Sequence, residues 1–435
     1  MHGAKPSDRP AFAGAASAAR SALPVAPEDT SDGIGPAAAA PRTVPGLGVY
    51  VHFPYCLKKC PYCDFLSVAA DRAELPHGRY ADAVLAELAR RAPELGRRRL
   101  RSVFFGGGTP SLWHAEDLGR VLRAILDTFD APAEVEVTVE CNPTSLDRAR
   151  AAALIDQGVN RLSVGVQSLS EERLRFLGRL HDGPGGQRAV RDALAVPGAR
   201  VSADLIFGVH GQSARDARAE VATLADAGVG HLSAYALTIE PGTQFGALAR
   251  RGRLPLLGDD TVADSFLAVH DELTARGFEH YEISNYAQPG QRSQHNLGYW
   301  LGREYLGLGA GAWGTVRTRG RLCRYRNTPA HERYLSSAER WPDEVLWSEG
   351  GLIASVEPID AETALSERIL LGLRLAEGVD LDAAGRELGV DPWPRERALA
   401  RDRLLARGLL RADAGRVHIP TEHWLLADGI IRDLM

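Results

Sequence analysis

Three of the chain's five cysteines, Cys56, Cys60 and Cys63, share one short loop with the spacing C-x3-C-x2-C. No other feature restricts the chain as much. Thiolates are soft ligands that suit iron–sulfur clusters or zinc. A structural zinc usually takes four protein ligands, commonly as two C-x2-C pairs. Here three cysteines sit together and no fourth lies nearby. Three thiolates on a four-iron cluster leave one iron open to a ligand that is not protein. The plainer alternatives are a zinc site or three buried thiols. The apolar run Val49 to Phe53 leads into the loop, which predicts cysteines just past the end of a strand. Parallel sheets and barrels carry their chemistry at that end.

The surrounding pattern predicts such a sheet. From Val49 to about Glu240, strand-like stretches (48–53, 101–105, 134–140, 161–167, 200–207 and 231–239) alternate with amphipathic helical ones. Between 79 and 91, for example, Tyr80, Val84, Leu85 and Leu88 recur at helical spacing. Six βα units in a row imply a parallel α/β barrel with right-handed crossovers, short of a closed eight-fold barrel. After Gly242 the alternation stops. Beyond about Leu346, three helical stretches precede two short strands around Asp413-Ala414-Gly415, the outline of a winged-helix-like α+β module. Its arginines between 395 and 411 are balanced by Glu396, Asp402 and Asp413, so no basic stripe for nucleic acid is formed.

Composition narrows the function classes. With 45% hydrophobic residues and a formal net charge of -5, the chain has an ordinary soluble profile and no general pull towards nucleic acid or membrane surfaces. No apolar run is long enough to span a bilayer. Five cysteines, three of them clustered, argue for a reducing compartment rather than a disulfide framework, hence a cytoplasmic location. Residues 1–44 are rich in Ala, Pro, Gly and Ser and carry too little apolar surface to fold. Arg9 and Arg20 suggest a transit peptide as the alternative for this tail; Glu28, Asp29, Asp32 and the prolines oppose it.

Other motifs recur at the ends of the expected strands. Gly106-Gly107-Gly108-Thr109-Pro110-Ser111 lets backbone approach a ligand closely and present N–H groups to it. No Gly-Lys-Ser/Thr follows, so it is not a P-loop. Glu140 in Glu-Cys-Asn-Pro offers a carboxylate to an ammonium or a ribose. Gln167, Arg179 and Asp204 stand at corresponding points of later units. Taken singly each is an ordinary turn or surface residue, but their recurrence predicts a shared ligand rim. Gly309 to Gly314 fits G-x-G-x-x-G literally but lacks the βαβ setting of a dinucleotide site.

Together these motifs resemble the radical S-adenosylmethionine (SAM) superfamily, and within it the branch of oxygen-independent coproporphyrinogen III dehydrogenases and heme chaperones (HemN and HemW). The resemblance covers about residues 46 to 435. It implies a partial (β/α)6 barrel, open along one side, with a small winged-helix-like C-terminal domain. By the same resemblance, Cys56, Cys60 and Cys63 hold a [4Fe–4S] cluster, and SAM chelates its open iron. Tyr50, Tyr62, Gly107, Gly108, Thr109, Glu140, Gln167, Arg179 and Asp204 would hold SAM.

Two features choose within the branch. Phe65 stands where the dehydrogenases carry a further cysteine, and His295-Asn296-Leu297-Gly298-Tyr299-Trp300 matches the H-N-x-x-Y-W motif of the chaperones. Histidine can ligate heme iron and aromatic rings can stack on porphyrin. The expectation is therefore heme contact near His295, Asn296, Tyr299 and Trp300, a heme-acceptor protein, and an electron donor such as flavodoxin or ferredoxin. SAM cleavage would accompany or gate transfer. Turnover of coproporphyrinogen III and modification of RNA are the rival activities. Trp313 departs from the branch, which usually has histidine there. The expected division is a tail over 1–44, the barrel over 45–242, an extension carrying the motif over 243–345, and the C-terminal module over 346–435.

Overall fold

A computed structural model describes residues 46–337 and 347–435. The tail expected over 1–44 and the boundary expected near Leu346 lie outside them. The barrel begins with β1 (Leu47–Phe53), followed by the cysteine loop, whose base is closed by the two-residue strands β2 (Tyr55–Cys56) and β3 (Val68–Ala69). There follow α1 (His77–Leu95), β4 (Leu100–Gly107), α2 (Ala115–Thr128), β5 (Glu136–Cys141), α3 (Arg148–Asp156), β6 (Arg161–Gln167), α4 (Glu171–Phe176) and α5 (Gly183–Leu194). Then come β7 (Arg200–Phe207), α6 (Ala214–Asp226), β8 (His231–Ala236), α7 (Gln244–Arg250) and α8 (Asp259–Ala275). Strands β1, β4, β5, β6, β7 and β8 pair in that order, all parallel. This is the six-unit barrel that the alternation predicts.

The sheet does not close on itself. On one side β9 (Glu279–Glu282) and β10 (Asn285–Ala287) add antiparallel strands to β8. After α9 (Gln294–Trp300), β11 (Tyr305–Leu308) joins β1 in parallel on the other side. Beyond it lie β12 (Trp313–Thr318), β13 (Arg321–Asn327) and, past α10 (His331–Ser337), β14 (Ile353–Pro358), all antiparallel. The C-terminal module follows: α11 (Ala361–Gly372), α12 (Leu381–Leu388), α13 (Arg395–Ala406), the hairpin β15 (Arg411–Asp413) and β16 (Arg416–His418), and α14 (Ala427–Leu434). The terminal helix α14 has no counterpart among the sequence expectations. It buries Ile430, Ile431 and Leu434 in the module's own core. The hairpin turn expected at Ala414-Gly415 is present, with φ of 49° and 79° at the two residues, the left-handed pair that a two-residue hairpin loop requires.

The barrel strands carry two different faces. Outward residues such as Val49, Val51, Val103, Val137, Leu162 and Val164 are buried against the helices. The alternate residues point into the barrel and are largely polar: Ser102, Glu136, Thr138, Arg161, Ser163, Ser202 and His231 are all buried. Strands buried on both faces usually read as continuous apolar runs. Here the inward face is a polar core, which sets up everything that follows.

One buried ion pair fastens the antiparallel extension to the barrel. The Glu87 carboxylate of α1 accepts hydrogen bonds from Gly309 N (2.9 Å), Asn327 Nδ2 (2.8 Å) and Tyr334 Oη (2.7 Å), and it lies 3.1 Å from Arg91 Nε. The Arg91 guanidinium is held 4.3 Å from the Tyr325 ring centre and 4.6 Å from that of Trp347. Burial raises the Glu87 pKa while Arg91 and the donors pull it back. Glu87→Ala leaves Arg91 buried without its partner, so unfolding by denaturant should show a loss of about 3–5 kcal/mol.

Candidate functional site

The cysteine loop is held against the C-terminal ends of β1 and β4. Gly108 N donates to Phe53 O (2.8 Å) and Thr109 N to Tyr55 O (2.9 Å). Glycine is needed here for space: a Cβ on Gly108 would stand 2.7 Å from the Pro54 carbonyl carbon, and one on Gly107, whose φ is 111°, would enter the His52 ring at 2.5 Å. His52 ties down the far end of the loop. One ring nitrogen contacts Leu66 O (2.9 Å) and the other Tyr50 Oη (2.9 Å). Burial pushes the His52 pKa down to about 4, so the ring is neutral in that bridge.

A cavity of about 360 Å³ opens above these strand ends. Cys56, Cys60 and Cys63 line it, as do Tyr62, Gly107, Gly108, Thr109, Glu140, Gln167, Arg179 and Asp204. Every expected cluster and SAM residue is therefore on this wall except Tyr50, which sits one layer deeper with its hydroxyl on His52. Gln167 has φ of 66°, a left-handed conformation uncommon outside glycine, at the point where the β6–β7 register shifts. Strained backbone of this kind concentrates at ligand sites.

The electrostatics are as specific as the shape. Thr109 Oγ1 donates to Cys56 Sγ (3.4 Å), and an Arg179 Nη lies 3.8 Å from Cys60 Sγ. Burial raises the Cys56 thiol pKa and pushes that of Cys63 up to about 11. These thiols need a strong cationic partner to deprotonate. Among the described residues no three His, Cys, Asp or Glu side chains converge on a point for a single ion. Three soft donors on one wall, near enough for their charges to interact and with a hydroxyl and a guanidinium beside their sulfurs, have the chemistry that an iron–sulfur cluster takes. Facing them, burial and then Asp204 push the Glu140 pKa up to about 8. Burial also raises that of Asp204, against hydrogen bonds from Ser233, Ser163 and Ser202 and the Arg161 charge. Glu140 thus keeps its proton near neutral pH until a cationic ligand draws it off, and two acids over one buried guanidinium suit such a ligand.

Sequence reasoning missed Ser163, which donates to both Asp204 oxygens (3.2 and 3.0 Å) and lines the cavity. Its place two residues before Gly165 on an alternating strand is the signal that could have found it. The Ser163 hydroxyl also begins a buried polar chain down the barrel. It meets Ser202 Oγ (3.3 Å), which meets His231 Nδ1 (3.0 Å); His231 Nε2 meets Tyr281 Oη (2.8 Å), and that oxygen accepts from Ser293 N (3.4 Å). Ser293 caps α9, its hydroxyl accepting from Asn296 N. Tyr281→Phe should cost about 1–3 kcal/mol in a denaturant titration, because it strands a buried imidazole nitrogen and the N–H of the residue that caps α9.

The H-N-x-x-Y-W motif lies at the other end of the barrel. His295 packs under the N-terminal ends of β4 and β5: Nδ1 contacts Ser102 Oγ (2.8 Å), its N donates to Glu136 Oε1 (3.1 Å), and Nε2 contacts Tyr299 Oη (2.9 Å). The ring stacks on Phe104, which stacks on Tyr50. Burial pushes its pKa down to about 3. Both ring nitrogens are engaged, and His295 is 3% exposed. Tyr299 stands edge-on to Tyr305, while Asn296 and Trp300 are half-buried. Trp313 is half-buried beside Arg326 and away from the cavity.

Comparisons with known proteins agree with this architecture. Residues 50–224 match the radical SAM superfamily and residues 359–426 the HemN C-terminal domain. The heme chaperone HemW of Mycobacterium tuberculosis is 36% identical over 405 residues, covering 91% of this chain and 98% of that protein. HemW of Escherichia coli K12 is 39% identical over 287 residues, 66% of this chain and 74% of that protein. The mouse radical S-adenosyl methionine domain-containing protein 1, mitochondrial, is 34% identical over 407 residues, 89% of this chain and 87% of the relative. The solved structure of E. coli coproporphyrinogen III oxidase (HemN) superposes with a TM-score of 0.73 over 90% of each chain at 19% identity, a likeness of fold. The chain belongs to the HemW family of radical SAM proteins.

Proposed function

We propose that this protein is a heme chaperone: it holds a [4Fe–4S] cluster on Cys56, Cys60 and Cys63, binds SAM beside it, and carries heme to an acceptor protein. The observation that supports this best is the single cavity wall shared by the three cysteines, the glycine loop, Glu140, Gln167, Arg179 and Asp204. A cluster held by these three thiolates would provide one-electron chemistry for SAM bound beside it. The chain's own residues do the rest. Gly107 and Gly108 leave room for the ligand's polar end, and Glu140 and Asp204 supply negative charge for its cationic groups. Arg179 neutralises thiolate charge at Cys60, and Tyr62 covers the side of the cavity towards Phe245, 6.4 Å between ring centres.

Heme is taken up, on this proposal, at α9, where Asn296 and Trp300 offer the outer surface and His295 and Tyr299 hold the helix on the barrel. With both nitrogens engaged, His295 acts as an anchor in this conformation and not as an iron ligand. A flavodoxin or ferredoxin would supply electrons in the cytoplasm. Among the described residues no helix is long and apolar enough to cross a membrane. The rival activity, decarboxylation of coproporphyrinogen III, is disfavoured by Phe65, which stands 58% exposed on the cavity where the dehydrogenases have cysteine. The deciding experiment is an anaerobic heme titration of the reconstituted protein followed by visible absorption, beside an assay for protoporphyrinogen. Saturable one-to-one binding without turnover is expected. Robust turnover without saturable binding would reverse the assignment.

A further inference from the structure

Gly298 stands in the middle of α9, where glycine weakens a helix. Its φ is not left-handed, and nothing lies within 4 Å of the place its Cβ would occupy. Neither packing nor backbone geometry asks for glycine there. What the glycine does provide is a flat helix face that a ligand can approach closely.

That face is bordered by arginines. Arg101 and Arg303 line a shallow cleft together with Gly298 and His295. Arg101 is seated in the space left by Gly46, where a Cβ would come within 2.2 Å of its Nε. Arg368 of α11 lies over Gly302, the residue before Arg303, where a Cβ would stand 2.6 Å from its Nε. Burial, then the charges of Arg101 and Arg368, lower the pKa of half-buried Arg303. Neither the Arg101 nor the Arg303 guanidinium has a hydrogen-bond acceptor among the described residues. The neighbouring acid, Glu304, also lines the cleft, but one of its oxygens is taken by Arg98 Nη1 (2.8 Å) and Arg317 N (2.6 Å). Arg368 has a 3.4 Å contact to Glu387. Arg101 and Arg303, with no carboxylate hydrogen-bonded to either guanidinium among the described residues, and Arg368, whose Nη2 alone is taken by Glu387, match added carboxylates, which guanidiniums bind through paired N–H donors.

We propose that this face of α9 seats a planar ligand whose carboxylates are received by Arg101, Arg303 and Arg368. On the heme-chaperone reading, on which this rests, the ligand is heme and the carboxylates are its propionates. The macrocycle lies against the helix at Gly298, and charge recognition comes from three separate parts of the chain: β4, the turn after α9, and the C-terminal module.

The test uses the full-length protein and two probes, ferric protoporphyrin IX and its dimethyl ester, titrated by visible absorption. The wild type should bind the free acid at least ten-fold more tightly than the ester. Arg101→Gln combined with Arg303→Gln should weaken the acid at least ten-fold and erase the discrimination. Gly298→Leu favours the helix yet fills the seat, so it should weaken both probes alike without lowering the melting temperature. Equal wild-type affinity for acid and ester overturns the site while leaving the chaperone reading intact. So does a double variant that folds and titrates like the wild type. If the wild type binds neither probe, the site and the chaperone reading fall together. Should the double variant melt early, the wild-type preference between the two probes decides alone.

Discussion

Cys60→Ala protein, reconstituted anaerobically with iron and sulfide, should retain less than about a tenth of the wild-type iron and lose the cluster's visible absorption, while remaining folded. The loss follows from ligand number: with two thiolates left, a cluster has two irons without protein ligands and no nearby replacement. Cys141 borders the cavity but is 4% exposed, its thiol turned to Val139 O and raised in pKa by burial; Cys323 lies on β13 away from the cavity. Neither can substitute. The fold should survive because the loop is anchored by bonds that do not involve Cys60's side chain. Val68 N donates to Pro54 O (2.7 Å), Phe245 N to Pro61 O (2.9 Å), and His52 holds Leu66 O. The control is Cys323→Ala, which should keep its iron. Wild-type iron in the Cys60 variant, with an unchanged melting temperature, would remove this thiol from the ligand set. Arg179→Gln, which takes away the charge beside Cys60, should slow cluster assembly and leave the final iron content near the wild-type level.

Much of the cavity was legible in the sequence because several of its residues sit at strand ends, where spacing is regular. The glycine loop, Glu140 and Gln167 each close a stretch whose apolar alternation announces a strand, whereas Asp204 lies within β7 and Arg179 follows α4. What lies below was not legible. Arg161, Ser202 and His231 are single polar residues inside those same strands, and in one dimension they resemble interruptions of an apolar run. Only the curvature of the sheet turns them towards one another. His295 illustrates the complementary limit: the motif was visible as four residue types, but whether its ring faces solvent or the barrel depends on α9 packing against β4. Arg101, Arg303 and Arg368 come from segments far apart in sequence, so no local pattern could join them.

Glu140→Gln should raise the stability of the cluster-free protein at alkaline pH and weaken SAM binding in the reconstituted protein. The Glu140 carboxylate accepts from Gly107 N (3.0 Å), and burial with Asp204 raises its pKa from 4.5 to about 8. Between those two values the folded chain holds a proton that the unfolded chain has released. The associated stabilisation is complete below 4.5 and is lost as pH rises through 8. Glutamine keeps an oxygen for Gly107 and has nothing to ionise. The two proteins should therefore melt together near pH 5, and the variant should pull ahead as the pH climbs to about 9. Because the cavity admits solvent, the gain should be on the order of 2 kcal/mol, well below what the full shift would imply. A cationic ligand reverses the balance. Its charge draws the carboxylate's pKa down, so wild-type affinity for SAM should increase with pH up to about 8, whereas the variant should bind at least ten-fold more weakly with a flatter profile. Melting curves from pH 5 to 9, together with anaerobic equilibrium dialysis of SAM, measure both halves. Parallel melting across that range would mean that Glu140 is already ionised by solvent in the cavity. Unaltered SAM affinity would mean that Asp204 alone supplies the charge.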